Sequence, residues 1–237
     1  MPDINAIQNP IQRLSVEASL PVWLIETLVE QNGEAKTRQI IGSINDAPAQ
    51  AIRVNTVLST DEAVEQALLD EHFTFVKSKV ADHAYVVTGG HVAGSKAYQD
   101  GLLTLQDESA MLPVEALQIT TQVKTVLDAA AAPGGKTTQI AQYIADDATI
   151  TALDIHAHKI RLIEANAKRL HVSDKITAQV LDARQTANQL TTKFDRILVD
   201  APCSGFGLLR RKPEIRYDKT LEDVMSLASL RGEILDS

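Results

Sequence analysis

The stretch that most constrains this chain is Val126-Leu127-Asp128-Ala129-Ala130-Ala131-Ala132-Pro133-Gly134-Gly135-Lys136-Thr137. An apolar strand empties into a loop of small residues, and the loop opens a helix. Alanine and glycine let backbone amides approach a ligand closely, and the N–H groups of a helix beginning near Lys136 favour a carboxylate or phosphate. A Walker loop needs Gly six residues before the Lys of its Gly-Lys-Thr ending, and Ala130 stands there. A dinucleotide fingerprint needs Gly-x-Gly-x-x-Gly, and the run holds only the adjacent pair Gly134-Gly135. What remains is a Rossmann-like site for another adenosine-containing cofactor, with S-adenosylmethionine the natural candidate.

Three further apolar runs each end in an aspartate: Thr149–Asp154, Ile176–Asp182 and Phe194–Asp200, with helical patterns between them. Such alternation predicts a parallel sheet whose strand C-terminal ends share one edge, where open α/β sheets bind ligands. Asp154 follows the glycine pair by about 20 residues, the offset at which an acid accepts hydrogen bonds from ribose hydroxyls. That puts Asp182 near an adenine and Asp200 near the reacting end. Any one of these acids could simply end a strand or cap the next helix. Four in register with a small-residue loop, Asp128 included, point to a site.

With 237 residues, 44% apolar and 23% charged, the chain has room for one large or two modest domains. It has no run of 18 apolar residues and no cleavable leader pattern over Met1–Pro10, so the expected setting is cytoplasmic and away from membranes. One cysteine excludes an intrachain disulfide and any Cys-rich zinc site. His156 and His158, one residue apart at a helix start, are expected not to share a face, and no metal is expected. A net charge of −8 argues against indiscriminate nucleic-acid binding and leaves room for a local basic groove.

Residues 1–19 read as a linker or the remnant of a preceding module, since Met1–Ser15 is polar and aperiodic. Leu20–Gln31 reads as a short amphipathic helix with Pro21 in its first turn and Gly33 closing it. Ala51–Val57, Phe73–Val76 and Ala84–Val87 read as strands and Thr60–Asp70 as a helix, so 20–103 is expected to be a small α+β subdomain. Thr104–Gln106 reads as a short strand, Asp107 caps a helix through Leu117, and 104–237 forms the larger domain. The alanine run 129–132 is a loop because Pro133 and two glycines follow it.

Cys203 lies in Asp200-Ala201-Pro202-Cys203-Ser204-Gly205, directly after the fourth strand. A lone cysteine is more often an inert buried thiol. A strand-end loop on the ligand edge, its path fixed by Pro and Gly, would instead present the sulfur to a cofactor. Downstream, Arg210, Arg211, Lys212 and Arg216 are the densest basic cluster of an acidic chain. Scattered surface charge is the plain reading of such a cluster. Beside a methyl-donor pocket it would clamp a phosphate backbone.

Together, Leu127–Thr137, Ala152–Leu170 with Asp154, Asn166 and Arg169, Leu181–Arg184 and Asp195–Arg216 resemble successive motifs of the Fmu/Sun family of RNA cytosine-5 methyltransferases. Arg53-Val54-Asn55-Thr56 and Leu105-Gln106-Asp107-Glu108-Ser109 resemble two further family stretches, so the likeness covers roughly residues 15 to 237. The resemblance implies an α/β fold: an incomplete Rossmann-like S-adenosylmethionine methyltransferase sheet preceded by a small RRM-like subdomain that binds RNA. It implies small-subunit ribosomal RNA as partner. It makes Ala130, Ala131, Ala132, Pro133, Gly134, Gly135 and Lys136 the cofactor loop, with Asp154, Asp182 and Asp200 as further cofactor or base contacts. Ala130 departs from the family, which usually carries Cys there, a change in packing near the donor more than in chemistry.

Cytosine C5 becomes nucleophilic only after a thiolate adds to C6, and a base must later take the C5 proton so that the thiolate can leave. The resemblance puts the attacking cysteine in a later motif, after a fifth strand, and gives Cys203 the release of product. DNA cytosine methyltransferases, by contrast, attack with the cysteine of a Pro-Cys loop. The later motif is absent from the 237 residues. A strand Phe194–Asp200 without a fifth neighbour would leave Ile197, Leu198 and Val199 on an open edge. The expectation is therefore a truncated, weakly active or inactive form of an RNA methyltransferase, lacking segments at both ends. The alternative is a non-catalytic RNA- or cofactor-binding fragment. A third reading, an NAD-dependent oxidoreductase, is disfavoured by the missing glycine fingerprint.

Overall fold

The computed structural model describes residues 3–237, so Met1 and Pro2 of the expected linker lie outside the described residues. Most of the remaining linker is folded. Helix α1 spans Pro10–Ala18, and Asn9 caps it, its Oδ1 accepting from the N–H groups of Ile11 and Gln12. Pro10 sits at the first helical position, where a missing N–H removes no helical bond. Leu14 and Ala18, four apart, form the buried stripe. Helix α2, Val22–Ser43, does not stop at Gly33: that residue takes φ 74° and ψ 162°, kinks the helix, and the helix resumes.

Strand β1 (Gln50–Val54), helix α3 (Asp61–Asp70), strands β2 (Thr74–Lys77) and β3 (Ala84–Thr88), the short helix α4 (Lys96–Gln99) and strand β4 (Leu103–Leu105) follow. The four strands make an antiparallel sheet in the order β2-β3-β1-β4. The expected boundary between residues 103 and 104 falls inside β4, which pairs with β1 through Ile52–Leu105, Arg53–Thr104 and Val54–Leu103. Alternation along β1 explains why this strand is central. Ile52 and Val54 pack with Val64 and Leu68 of α3, while Ala51 and Arg53, on the opposite face, are buried as well.

The next elements alternate in type: α5 (Glu108–Ala116), β5 (Thr125–Asp128), α6 (Gly135–Tyr143), β6 (Thr149–Asp154), α7 (Ala157–Arg169), β7 (Ile176–Val180), α8 (Thr186–Gln189) and β8 (Arg196–Leu198). Strand-helix alternation gives parallel pairing, and the sheet has the order β7-β6-β5-β8 with every pair parallel. Val126, Ile140, Ile150, Leu170 and Leu198 share its core. Strand β8 is the edge, but only part of its expected apolar run is open: Ile197 is 52% exposed, whereas Leu198 is buried in the core at 6%. Two helices complete the chain, α9 (Ile215–Asp218) and α10 (Leu221–Leu235).

The chain divides into two compact units, residues 3–48 with 202–232, and residues 49–201 with 233–237. The second holds both sheets. The first has its own core of Leu14, Ile25, Ile41 and Leu209, with Phe206 and Ile215 against it. Residues 202–232, expected in the larger domain, thus pack with the N-terminal helices, because their apolar side chains complete the buried face of α1 and α2. Among the described residues no helix is long and apolar enough to cross a membrane.

Candidate functional site

Strand β5 delivers its last residue, Asp128, to the start of the small-residue loop, and Gly134 closes the loop as the N-cap of α6. Only glycine suits that position. Its φ is 101°, and a Cβ there would stand 3.1 Å from the Cα of Ile163 in α7. The loop holds itself with Ala131 N–H to the Leu153 carbonyl and Gly134 N–H to the Ala131 carbonyl, both 2.8 Å, and Ala132–Pro133 is cis. Asn166 of α7 donates to the Pro133 carbonyl at 2.9 Å. The N–H groups of Gly135, Lys136 and Thr137 come before the first helical bond, Thr138 N–H to the Gly134 carbonyl. They form the electropositive end of α6.

Asp128 lies beneath this turn, 1% exposed. Thr137 Oγ1 donates to its Oδ2 at 2.7 Å, while Oδ1 is buried without a partner. Burial raises the carboxyl to about 6, against the Thr137 hydrogen bond, the Lys136 charge and the nearby Ala130 N–H dipole, which lower it. In the sequence Asp128 stands in the register of strand-end acids but outside the expected cofactor contacts. Its signal was position: it is the acid that ends the strand feeding the loop.

The other strand-end acids reach the same sheet edge with different partners. Asp154 is 9% exposed; its Oδ1 accepts from His156 N–H at 2.9 Å and its Oδ2 is 3.6 Å from Lys159 Nζ. One oxygen thus serves the turn into α7, the ordinary capping role. Asp182 is engaged by Arg184, whose N–H donates to Oδ1 at 3.0 Å and whose guanidinium meets Oδ2 at 2.7 Å. Those bonds hold its carboxyl below the usual range. Asp200 pairs with Lys136 Nζ at 2.5 Å, which ties the fourth strand end to the loop.

His156 and His158 stack, ring centroids 5.5 Å apart, against the expectation that they would not meet. His156 is the extended N-cap of α7, so helical periodicity does not govern it. Among the described residues no three His, Cys, Asp or Glu gather as a metal group.

Cys203 is exposed and belongs to the first unit. The basic cluster divides. Arg210, Arg211 and Lys212 are exposed, whereas Arg216 is 7% exposed and braces helices. Its Nη1 donates to the Ala18 carbonyl at 3.4 Å and its Nη2 to Asn45 Oδ1 at 2.6 Å, because α9 turns it toward α1 and the end of α2. Of the four cations expected to face solvent, three do and Arg216 does not.

Residues 115–237 match the sequence family described as 16S rRNA methyltransferase RsmB/F, and residues 20–92 match that described as Methyltr_RsmF/B-like, ferredoxin-like domain. The probable ribosomal RNA small subunit methyltransferase B of Bacillus subtilis is 38% identical over 99% of this chain and 52% of its own length. The ribosomal RNA small subunit methyltransferase B of Cronobacter sakazakii is 32% identical over 92% of this chain and 50% of its own. The crystal structure of PH0851 superposes with a TM-score of 0.91 at 27% identity, covering 100% of this chain and 53% of its own. The chain spans about half the length of the curated relatives it matches.

Proposed function

Because this chain belongs to the RsmB/F family of 16S rRNA methyltransferases, we propose that its second unit binds S-adenosylmethionine at the β5–α6 loop, in the service of C5 methylation of cytosine in small-subunit ribosomal RNA. One observation carries the reading. A buried carboxylate oxygen without a partner, Asp128 Oδ1, belongs to the carboxylate that Thr137 in the first turn of α6 holds through Oδ2. An unneutralised carboxylate charge that attracts an ammonium group through the loop, beside donors for a carboxylate, suits the zwitterionic end of an amino acid. Bound there, S-adenosylmethionine supplies an electrophilic methyl group.

The remaining assignments follow the sheet edge. Ala130, Ala131, Ala132 and Pro133 keep the loop thin enough for backbone approach, and Gly134, Gly135 and Lys136 set the anion-binding turn. Asp154 accepts from ribose hydroxyls, Asp182 walls the adenine, and Asp200, oriented by Lys136, accepts from the target base. Arg210, Arg211 and Lys212 hold RNA phosphates in a cytoplasmic setting, while Arg216 serves the fold. Cys203 is the one thiol of the 237 residues. C6 addition needs an attacking thiolate as well as a group that assists release, and its motif assigns Cys203 to release.

Calorimetry with S-adenosylhomocysteine tests the donor site. Asp154→Ala is expected to weaken binding by about tenfold or more, through lost charge-assisted hydrogen bonds; equal affinity would reject the assignment. A labelled-methyl assay on unmethylated small-subunit ribosomal RNA tests the thiol role. The 237-residue polypeptide is expected to bind the donor without robust turnover. Robust transfer abolished by Cys203→Ser would make Cys203 the attacking thiol.

A further inference from the structure

The motif Arg53–Thr56 lies outside the loop and its strand-end acids, yet its arginine is the largest fully buried side chain among the described residues, 1% exposed. Its bonds run to α6 and to Gln106. Nε donates to Gln106 Oε1 at 2.9 Å, Nη1 to Gln142 Oε1, and Nη2 to Thr138 Oγ1 at 3.1 Å and the Gly135 carbonyl at 3.3 Å. Gly135, Thr138 and Gln142 line one face of α6, so the guanidinium lies along that helix with Nη2 at its first turn. Every acceptor is neutral. Among the described residues no carboxylate pairs with this cation, and the nearby charge of Arg169 opposes it.

Stability alone gives no reason for that choice. A buried ion is expensive to desolvate, and a cation favours the C-terminal end of a helix over its N-terminal turn. Burial pulls the guanidinium down to about 9, still well above neutral pH, so the charge persists. What a fixed positive charge at this place does is raise the potential at the N–H groups of Gly135, Lys136 and Thr137. In a site shielded from water such a charge acts over several ångströms.

We propose that Arg53 is a positioning residue of the donor site, whose buried charge acts through the first turn of α6 to strengthen its hold on the carboxylate of an amino-acid-bearing nucleoside. The inference rests on the donor reading above. It predicts selectivity by ligand chemistry: the charge helps a nucleoside that carries the carboxylate and leaves one without it almost untouched. A purely structural latch would affect both alike.

The test is calorimetry on the 237-residue chain with S-adenosylhomocysteine, which carries the carboxylate, and 5′-methylthioadenosine, which lacks it. Arg53→Gln is expected to weaken the first by about tenfold and the second by less than about twofold, and Arg53→Lys to recover most of the loss. Gln142→Glu offers an independent route if Arg53→Gln does not fold. It sets a negative charge against the guanidinium and is expected to lower affinity for S-adenosylhomocysteine selectively. Equal losses for both ligands, or none, would overturn the proposal. If the unaltered chain binds neither ligand, the donor reading itself fails and the proposal falls with it.

Discussion

Asp128 gives the second unit a titration of its own. Its carboxyl is raised from 3.8 to about 6, chiefly by burial, so its charged form is disfavoured in the folded chain. The sign follows from linkage: the penalty is fully present above about pH 6 and relieved as pH falls toward 3.8, amounting to at most about 3 kcal/mol. Exposed acids with lowered values, such as Asp147 and Asp195, act in the opposite sense at lower pH, so the comparison must be against a variant. Asp128→Asn is expected to be more stable relative to the parent at pH 7.5 than at pH 5, read from urea denaturation at each pH. A difference that stays flat across that range would mean the carboxyl is not held charged in a dry site. The same residue shows what sequence leaves out. Asp128 is plainly an acid at a strand end, but its orphaned oxygen depends on β6, α6 and β8 closing around it.

At the scale of elements, α6 is where local sequence and tertiary contact agree. The Pro133-Gly134-Gly135 run announces a loop that opens a helix, and the helix begins at Gly135. Gly134→Ala would force a side chain into the left-handed region and against the backbone of α7, 3.1 Å from the Cα of Ile163. A loss of about 1–3 kcal/mol is expected, with weaker binding of S-adenosylhomocysteine, by denaturation and calorimetry together. An alanine variant as stable as the parent would show that α7 gives way freely. Elsewhere the local signal misled. Residues 10–18 follow a polar start that reads as aperiodic, although Ile11, Leu14 and Ala18 fall at helical spacing behind the Asn9 cap, and what fixes Leu14 and Ala18 as the buried stripe is the core they share with Leu24 and Ile25. Strand β4 is three residues long and holds its place by pairing with β1, a partner about 50 residues away.

For the whole molecule, the RNA reading now rests on three exposed cations. Replacing Arg210, Arg211 and Lys212 with Ala is expected to weaken RNA binding and flatten its salt dependence by up to about 0.7 log units per lost phosphate contact on single strands. An unchanged salt slope would mark them as ordinary solvated surface. Arg216→Ala is expected instead to lower stability, since it strands the Asn45 acceptor and empties a buried position. The sequence by itself determined the alternation of strands and helices, the parallel pairing that such alternation implies, the loop after β5 and the acids at the strand ends, because periodicity and turn chemistry are written in near neighbours. Only the tertiary structure decided which charges face solvent and which are sealed. Arg53, Asp128 and Arg216 look like surface residues by composition, and each is buried because distant segments converge on it: Gln106 and α6 on the first, the closing sheet and loop on the second, α1 and Asn45 on the third. Burial is a property of converging segments, and no window of adjacent residues contains it.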